Sequence, residues 1–309
     1  MLALAGVWGC DGNTGTDAGP GGSDAGPGGS DAGMMMRAAV GSGPSRAELT
    51  AADYACRGMR TAPSDSGDLV TFTGEVRHFQ SRSPVEGLTV HFFPDNAVTP
   101  DCTGSCVALT TNAAGNIEVM DNTGSWYAYR IVAGNGSIAG APDSYIETVH
   151  FNAVAPAAAG AGTFNAVTGS LRDTILTLLG LQADEGTATI TGALSDCGGA
   201  TIANATIRVF GDDGEVVLAN RGARGPRQFY FGSSGLPVAS ETSTNTNGLY
   251  GAANVPVPAS GRVRVELWGA LTDGGEAELL GCENVNVTPD GISILSVTPQ
   301  RSDGPSCSM

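Results

Sequence analysis

The chain has 309 residues and a formal net charge of −16, and all 15 of its basic residues are arginine. Without lysine there can be no Walker phosphate loop, no Schiff-base lysine, no Ser-Lys nucleophile pair and no Lys–Asn isopeptide crosslink. The charge argues against nucleic acid or anionic lipid as partner, because both need a positive field.

At the N-terminus an apolar stub, Leu2 to Gly9, ends at Cys10. It is too short to span a bilayer and reads as the end of a secretory signal. The stub resembles the lipobox of bacterial lipoproteins, which places Leu or Val three residues before a lipidated cysteine and Gly or Ala directly before it. Val7 and Gly9 match, and Trp8 departs from the pattern. No Lys or Arg precedes Cys10, so the true start of the signal is expected upstream. The resemblance implies lipidation at Cys10, attachment to a membrane through that lipid, and a place in the cell envelope on its periplasmic or cell-surface side. Residues 17–33 then repeat Asp-Ala-Gly-Pro-Gly-Gly-Ser twice and begin a third copy. Gly and Ser loosen the backbone, Pro blocks helix and sheet, and Asp keeps the segment solvated, which makes a flexible tether; from Cys10 to Pro44 its end-to-end distance is roughly 30–35 Å.

Ser45-Arg46-Ala47-Glu48 is a capping box, and Leu49, Ala52 and Cys56 follow on one face before Gly58. This predicts a short helix packed across an end of the first sheet. Strands are expected at Leu69–Phe79, Leu88–Phe93, Asn116–Met120, Trp126–Val132 and Tyr145–Phe151, where apolar residues alternate between turn-forming clusters. Within the fourth, Tyr127, Tyr129 and Ile131 should face the core. Ala155–Gly162 reads as loop. Leu171, Ile175, Leu178 and Leu179 have helical spacing, with Thr168 and Ser170 as cap candidates and Gly180 as the stop.

A second strand series begins at Thr187 and echoes the first. Thr73-Gly74-Glu75-Val76 returns as Thr191-Gly192-Ala193-Leu194, and Gly87-Leu88-Thr89-Val90 as Asn204-Ala205-Thr206-Ile207. Thr111-Asn112-Ala113-Ala114-Gly115 returns as Thr244-Asn245-Thr246-Asn247-Gly248, and the alternating Trp126–Val132 as Arg262–Trp268. Internal duplication is the structural expectation, with Gly211–Val238 as an insertion in the second copy. The order of these motifs resembles carboxypeptidase regulatory-like domains, which are transthyretin-like β-sandwiches, over most of residues 65–300. The resemblance implies a non-catalytic accessory module, and the similar starch-binding-like fold implies carbohydrate binding as the alternative.

The predicted fold class is therefore all-β, with two antiparallel β-sandwich domains in tandem and short helices before and between them. The predicted organisation is a signal remnant (1–9), a lipidated cysteine and tether (10–44), a first sandwich (45–162), a helical connector (163–182) and a second sandwich (183–309). Lipidating Cys10 leaves Cys56, Cys102, Cys106, Cys197, Cys282 and Cys307 as disulfide candidates for an oxidising compartment. Cys197 with Cys282 is predicted, because the second copy places one after its first strand and the other before a late strand. Zinc is disfavoured, since Cys102-x-x-x-Cys106 lacks a second ligand pair at zinc spacing nearby.

No serine lies in a Gly-x-Ser-x-Gly elbow, and Asp212-Asp213-Gly214 and Asp273-Gly274-Gly275-Glu276 read as turns. His91 and His150 should face outward, where a shared metal would require neighbouring strands; no metal and no cofactor are expected. Two functions follow: a structural or protein-interaction module at the envelope, or a carbohydrate binder that uses Trp126, Tyr230 and Trp268 as stacking platforms. Exposure of the two tryptophans discriminates between them.

Overall fold

A computed structural model describes residues 37–38, 50–57, 68–94, 96–156, 160–216, 218, 222–270 and 276–299. Cys10, most of the predicted tether, the capping box and Cys307 lie outside the described residues. Strands dominate, as expected. The first half contains β1 (Arg37–Ala38), β2 (Thr50–Ala51), β3 (Leu69–His78), β4 (Thr89–Phe93), β5 (Val107–Thr110), β6 (Asn116–Asn122) and β7 (Trp126–Ile131). It continues with β8 (Gly134–Ile138), β9 (Ala141–Tyr145), β10 (Thr148–Val154) and β11 (Ala161–Ala166), and helix α1 (Gly169–Leu178) follows. The second half contains β12 (Thr187–Ala193), β13 (Ile202–Ala203), β14 (Thr206–Gly211), β15 (Gly214–Glu215) and β16 (Arg227–Phe231). It ends with β17 (Pro237–Val238), β18 (Leu249–Pro256), β19 (Arg262–Gly269), β20 (Glu278–Asn286) and β21 (Ile292–Leu295).

One strand order occurs twice. In the first half β11-β3-β6 faces β10-β7-β4-β5; in the second, β21-β12-β18 faces β20-β19-β14-β15. In each case the last strand runs parallel to the first, β11 beside β3 and β21 beside β12, within otherwise antiparallel pairings. β21 also pairs in parallel with β10, through Thr148↔Ile292 to Phe151↔Leu295. This second pairing fuses a sheet of each half into one sheet of nine strands.

The repeated motifs make the same bonds in both halves. Thr111 Oγ1 accepts the Leu88 N–H at 2.9 Å, and Thr244 Oγ1 accepts that of Ala205 at 3.0 Å. Gly115 (φ 74°) and Gly248 (φ 65°) close the turns, and their carbonyls accept the N–H groups of Val76 and Leu194. A Cβ on either glycine would lie 2.6 Å from the carbonyl oxygen of Val76 or Leu194. Positive φ and close backbone approach together select glycine at both places.

Two large cores result. In the first half Phe72, Val76, Phe92, Ile117, Tyr127, Tyr129, Ile131 and Phe164 pack between the sheets, with the rings of Tyr129 and Phe164 stacked at 4.0 Å. In the second, Ile190, Ile207, Val209, Tyr250, Val263, Val265 and Val285 form the counterpart, joined by Phe93, Ala128, Val149 and Phe151 from the first half. The joint sheet is therefore buried on both faces where the halves meet, which explains why Ala128 and Arg130 are buried alongside the predicted core set.

Several expectations need correction. Arg37–Ala38, placed by sequence in the tether, pairs with Ile202–Ala203 and with Thr50–Ala51. Thr50–Ala51 is strand and residues 55–57 a turn, where the capping box predicts helix up to Cys56. Tertiary bonds override the local signal: Asp196 accepts the Asp53 N–H, the Asp53 carbonyl accepts the Cys197 N–H, and Cys56 is joined to Cys197 of the second half rather than packed on the first sheet. The predicted loop Ala155–Gly162 runs into β11, and predicted strand Tyr145–Phe151 is split between β9 and β10. Helix α1 forms with Thr168 as its N-cap and Gly180 (φ 68°) as its stop, and the Leu181 N–H returns to the Leu176 carbonyl. That return buries Leu176, Leu179 and Leu181 and leaves Leu178, expected on the apolar face, 51% exposed.

Candidate functional site

The three stacking candidates have different fates. Tyr230 is fully buried, its hydroxyl accepting the Ile207 N–H, so it cannot present a ring to a sugar. Trp126 and Trp268 are half-buried. The Trp268 ring is already covered, since the Arg208 guanidinium lies over it at 4.7 Å from the centroid and its Nε1 donates to Glu266 at 2.8 Å.

Trp268 belongs to a larger constellation on the outer face of the β15-β14-β19-β20 sheet. Alternation on β19 turns Val263, Val265 and Leu267 into the core and puts Arg262, Arg264, Glu266 and Trp268 on the opposite face; β14 likewise turns Arg208 and Phe210 outward. Arg264 covers the Phe210 ring at 4.4 Å and donates from Nε to Glu266 at 2.9 Å. Arg208 donates from Nε to Glu215 at 3.1 Å. The buried Glu266 carboxylate thus organises one guanidinium and one indole while two guanidinium groups stack on aromatic rings. The face carries three arginines and two glutamates on an otherwise acidic chain. Its signal in the sequence is the strict alternation of Arg262–Trp268, whose polar side matches no motif that would mark it as a site.

The histidines do not come together. In the register His91 lies opposite Arg130 and His150 opposite Tyr129, so the two imidazoles sit on opposite faces of the sheet, with β7 between their strands. His150 is held between the sheets, where Tyr129 Oη lies 2.9 Å from its Nδ1 and burial lowers its pKa to about 4. The expectation that it faces outward fails because both faces of β10 are packed: Val149 and Phe151 enter the second core, and the His150 side lies against Tyr129 of the first.

His91 faces a different group. Among the described residues one cluster brings metal-type ligand atoms within 4.8 Å of one another: His91, Cys102 and Cys106. The two sulfurs are joined as a disulfide, and Arg130 Nη2 donates to His91 Nδ1 at 2.6 Å and to the Pro100 carbonyl. Desolvation and the Arg130 charge both lower the His91 pKa. A cation here would meet a guanidinium and sulfurs already bonded, so this arrangement does not fit a metal. The other described pair is Cys56–Cys197, and Cys282 is also disulfide-bonded. The predicted Cys197–Cys282 pair is therefore not made, because the N-terminal segment folds back onto the second half and takes Cys197.

An open pocket lies between residues 96–99 and β20, lined by Asn96, Asn152, Arg262, Glu283 and Asn286 beside Phe151. Asn96 and Asn152 bond each other across it at 2.8 and 3.0 Å.

No family model matches the chain, and no curated protein matches it. Among solved structures, the shaft pilin SpaA of Lactobacillus rhamnosus GG aligns at 13% identity over 76% of this chain and 98% of its own, with a TM-score of 0.22. A streptococcal ancillary pilin aligns at 11% identity over 74% of this chain and 62% of its own, with a TM-score of 0.21. A C-terminal fragment of the pilus adhesin SpaC of Lactobacillus rhamnosus GG aligns at 10% identity, covering 75% and 98%, with a TM-score of 0.16. Superpositions this loose transfer no activity to this chain.

Proposed function

We propose that the chain is a non-catalytic envelope protein, attached through a lipid on Cys10, whose two transthyretin-like repeats form one body that displays the Arg208–Phe210–Arg264–Trp268 face to a carboxylate-bearing protein surface. The carrying observation is the order of that face: Glu266 fixes Arg264 and Trp268 before any partner arrives. Arg and Trp dominate binding energy at protein interfaces, and side chains already held in place lose less entropy on docking. A net positive patch on an acidic chain selects an acidic counterpart. The lysine-free, disulfide-bonded body suits an oxidising compartment outside the cytoplasm.

A second reading, a carbohydrate-binding module, is favoured by the amide-rich pocket rather than by the predicted aromatic platforms. Amides, an arginine and a carboxylate beside an aromatic ring suit a neutral hydroxylated ligand. A glycan array probed with the soluble chain separates the two. A blank array is expected; binding lost on Arg262→Ala or Asn286→Ala but kept on Trp268→Ala would move the function to the pocket. Metabolic labelling with a palmitate analogue tests the address, with label expected on the native chain and absent from Cys10→Ala.

A further inference from the structure

The loop between β4 and β5 has no counterpart of similar length in the second half, where Asp212 and Asp213 alone connect β14 to β15. This longer loop carries Cys102 and Cys106 to the edge of the nine-stranded sheet, over His91 and Arg130. We propose that the Cys102–Cys106 disulfide is a thiol-exchange site, opened and closed by an external dithiol, whereas Cys56–Cys197 is a fixed structural bond.

Three observations carry this. First, the two cysteines are only 4 residues apart, so their bond restrains little of the unfolded chain, against a separation of 141 for Cys56–Cys197. Second, the surroundings favour the thiolate form of the pair. Arg130 spends one N–H on His91 Nδ1, which leaves the neutral imidazole with its proton on Nε2, and a ring nitrogen of His91 lies within 4.8 Å of both sulfurs. The guanidinium bonded to that imidazole brings positive charge to the site, and positive charge nearby favours a leaving thiolate. Around the other pair the neighbouring charges are of both signs: Asp196 directly precedes Cys197, and Arg57, which follows Cys56, is paired with Glu278. Third, the bond lies in an accessible loop. Both cysteines are half-buried, Thr103, Gly104 and Ser105 between them are exposed, and Cys102 holds φ at 48°, a left-handed conformation unfavourable for a residue other than glycine.

In the exchange, one thiolate of the dithiol attacks Sγ of either cysteine. A mixed disulfide forms as the Cys102–Cys106 bond breaks, and the other cysteine leaves as a thiolate beside His91 and Arg130. The second thiol of the reagent then displaces the attacked cysteine, so the dithiol ends as a disulfide and the pair as two thiols. Two electrons and two protons are transferred, and the reverse sequence restores the bond.

The full chain, kept native, is equilibrated with graded dithiothreitol, quenched with N-ethylmaleimide and mapped by peptide mass. Cys102 and Cys106 should be labelled at a reductant concentration at least tenfold below that which labels Cys56 and Cys197, with the circular dichroism unchanged. Opening of Cys102–Cys106 only together with Cys56–Cys197, or after it, would overturn the proposal. Arg130→Gln and His91→Gln should each slow reduction of this pair several-fold. Should Arg130→Gln fail to fold, the half-buried His91→Gln carries the same reading, and an unchanged rate in it would also count against the proposal.

Discussion

Removing the Cys56–Cys197 bond by the double substitution Cys56→Ala/Cys197→Ala should be the most damaging change available at any described cysteine pair. Cross-linking residues 141 apart removes about 17 cal/mol/K of loop-closure entropy from the unfolded chain, or about 5 kcal/mol at 25 °C. For the separation of 4 between Cys102 and Cys106 the same relation gives only about 2 kcal/mol. The bond also fixes the N-terminal segment that Asp196 holds through the Asp53 N–H, so some native contact is lost with it. A loss near 5 kcal/mol is comparable with the whole stability of many domains, and for a body of this size it should lower the melting temperature by roughly 10–20 °C. Thermal and urea unfolding of the two double-alanine variants beside the native chain would measure both. Equal losses, or a larger loss for Cys102→Ala/Cys106→Ala, would refute the loop-length reasoning.

His150 should make stability depend on pH. Its pKa in the folded chain is about 4 against an ordinary 6.5, so the unfolded state binds the proton first, and stability falls as pH drops from about 6.5 to 4 while staying level above. The full effect is about 3 kcal/mol, and urea titrations of His150→Gln, which keeps an acceptor for Tyr129, should show that slope removed. Gly192→Ala would place a Cβ 1.6 Å from the Leu295 carbonyl oxygen and push β21 off β12, costing about 3 kcal/mol or more in an unfolding assay. Gly134→Ala, whose nearest neighbour would lie at 3.8 Å, should cost less than about 0.5 kcal/mol in the same assay. Glu266→Ala strips Arg264 and Trp268 of their shared partner and should destabilise by about 2–3 kcal/mol, with a shift in tryptophan emission as the check.

The strands and the duplication were legible because they are written locally. Period-two alternation located β3, β4, β6, β7 and β19, and the two Thr-Asn-x-x-Gly turns carry their own hydrogen-bond chemistry. What was not legible depends on partners distant in sequence. Nothing near Ile292 says that β21 will pair with β10 as well as β12, and that pairing joins the two halves so that Val149 and Phe151 enter the second core and no face of β10 is left wet for His150. The capping box at Ser45 was a sound local signal, yet Asp196 and Cys197, 143 and 141 residues beyond their partners Asp53 and Cys56, hold residues 55–57 in a turn. β5 and the β8–β9 hairpin escaped because Val107–Thr110 is an exposed edge with little alternation and Gly134–Ile138 is half glycine and polar. The candidate face was half legible: the alternation of Arg262–Trp268 gave its polar side, but only the register of β14 against β19 brings Arg208 to Trp268 and Phe210 to Arg264.

The claim that this face docks protein is tested most directly by a photo-crosslinking residue placed at Phe210 in the producing cell, with the same residue at exposed Leu178 as control. A discrete protein adduct is predicted from position 210, absent from position 178 and lost when Arg208→Glu is added. Adducts of the same pattern from both positions, or one from position 210 that survives Arg208→Glu, would contradict the account.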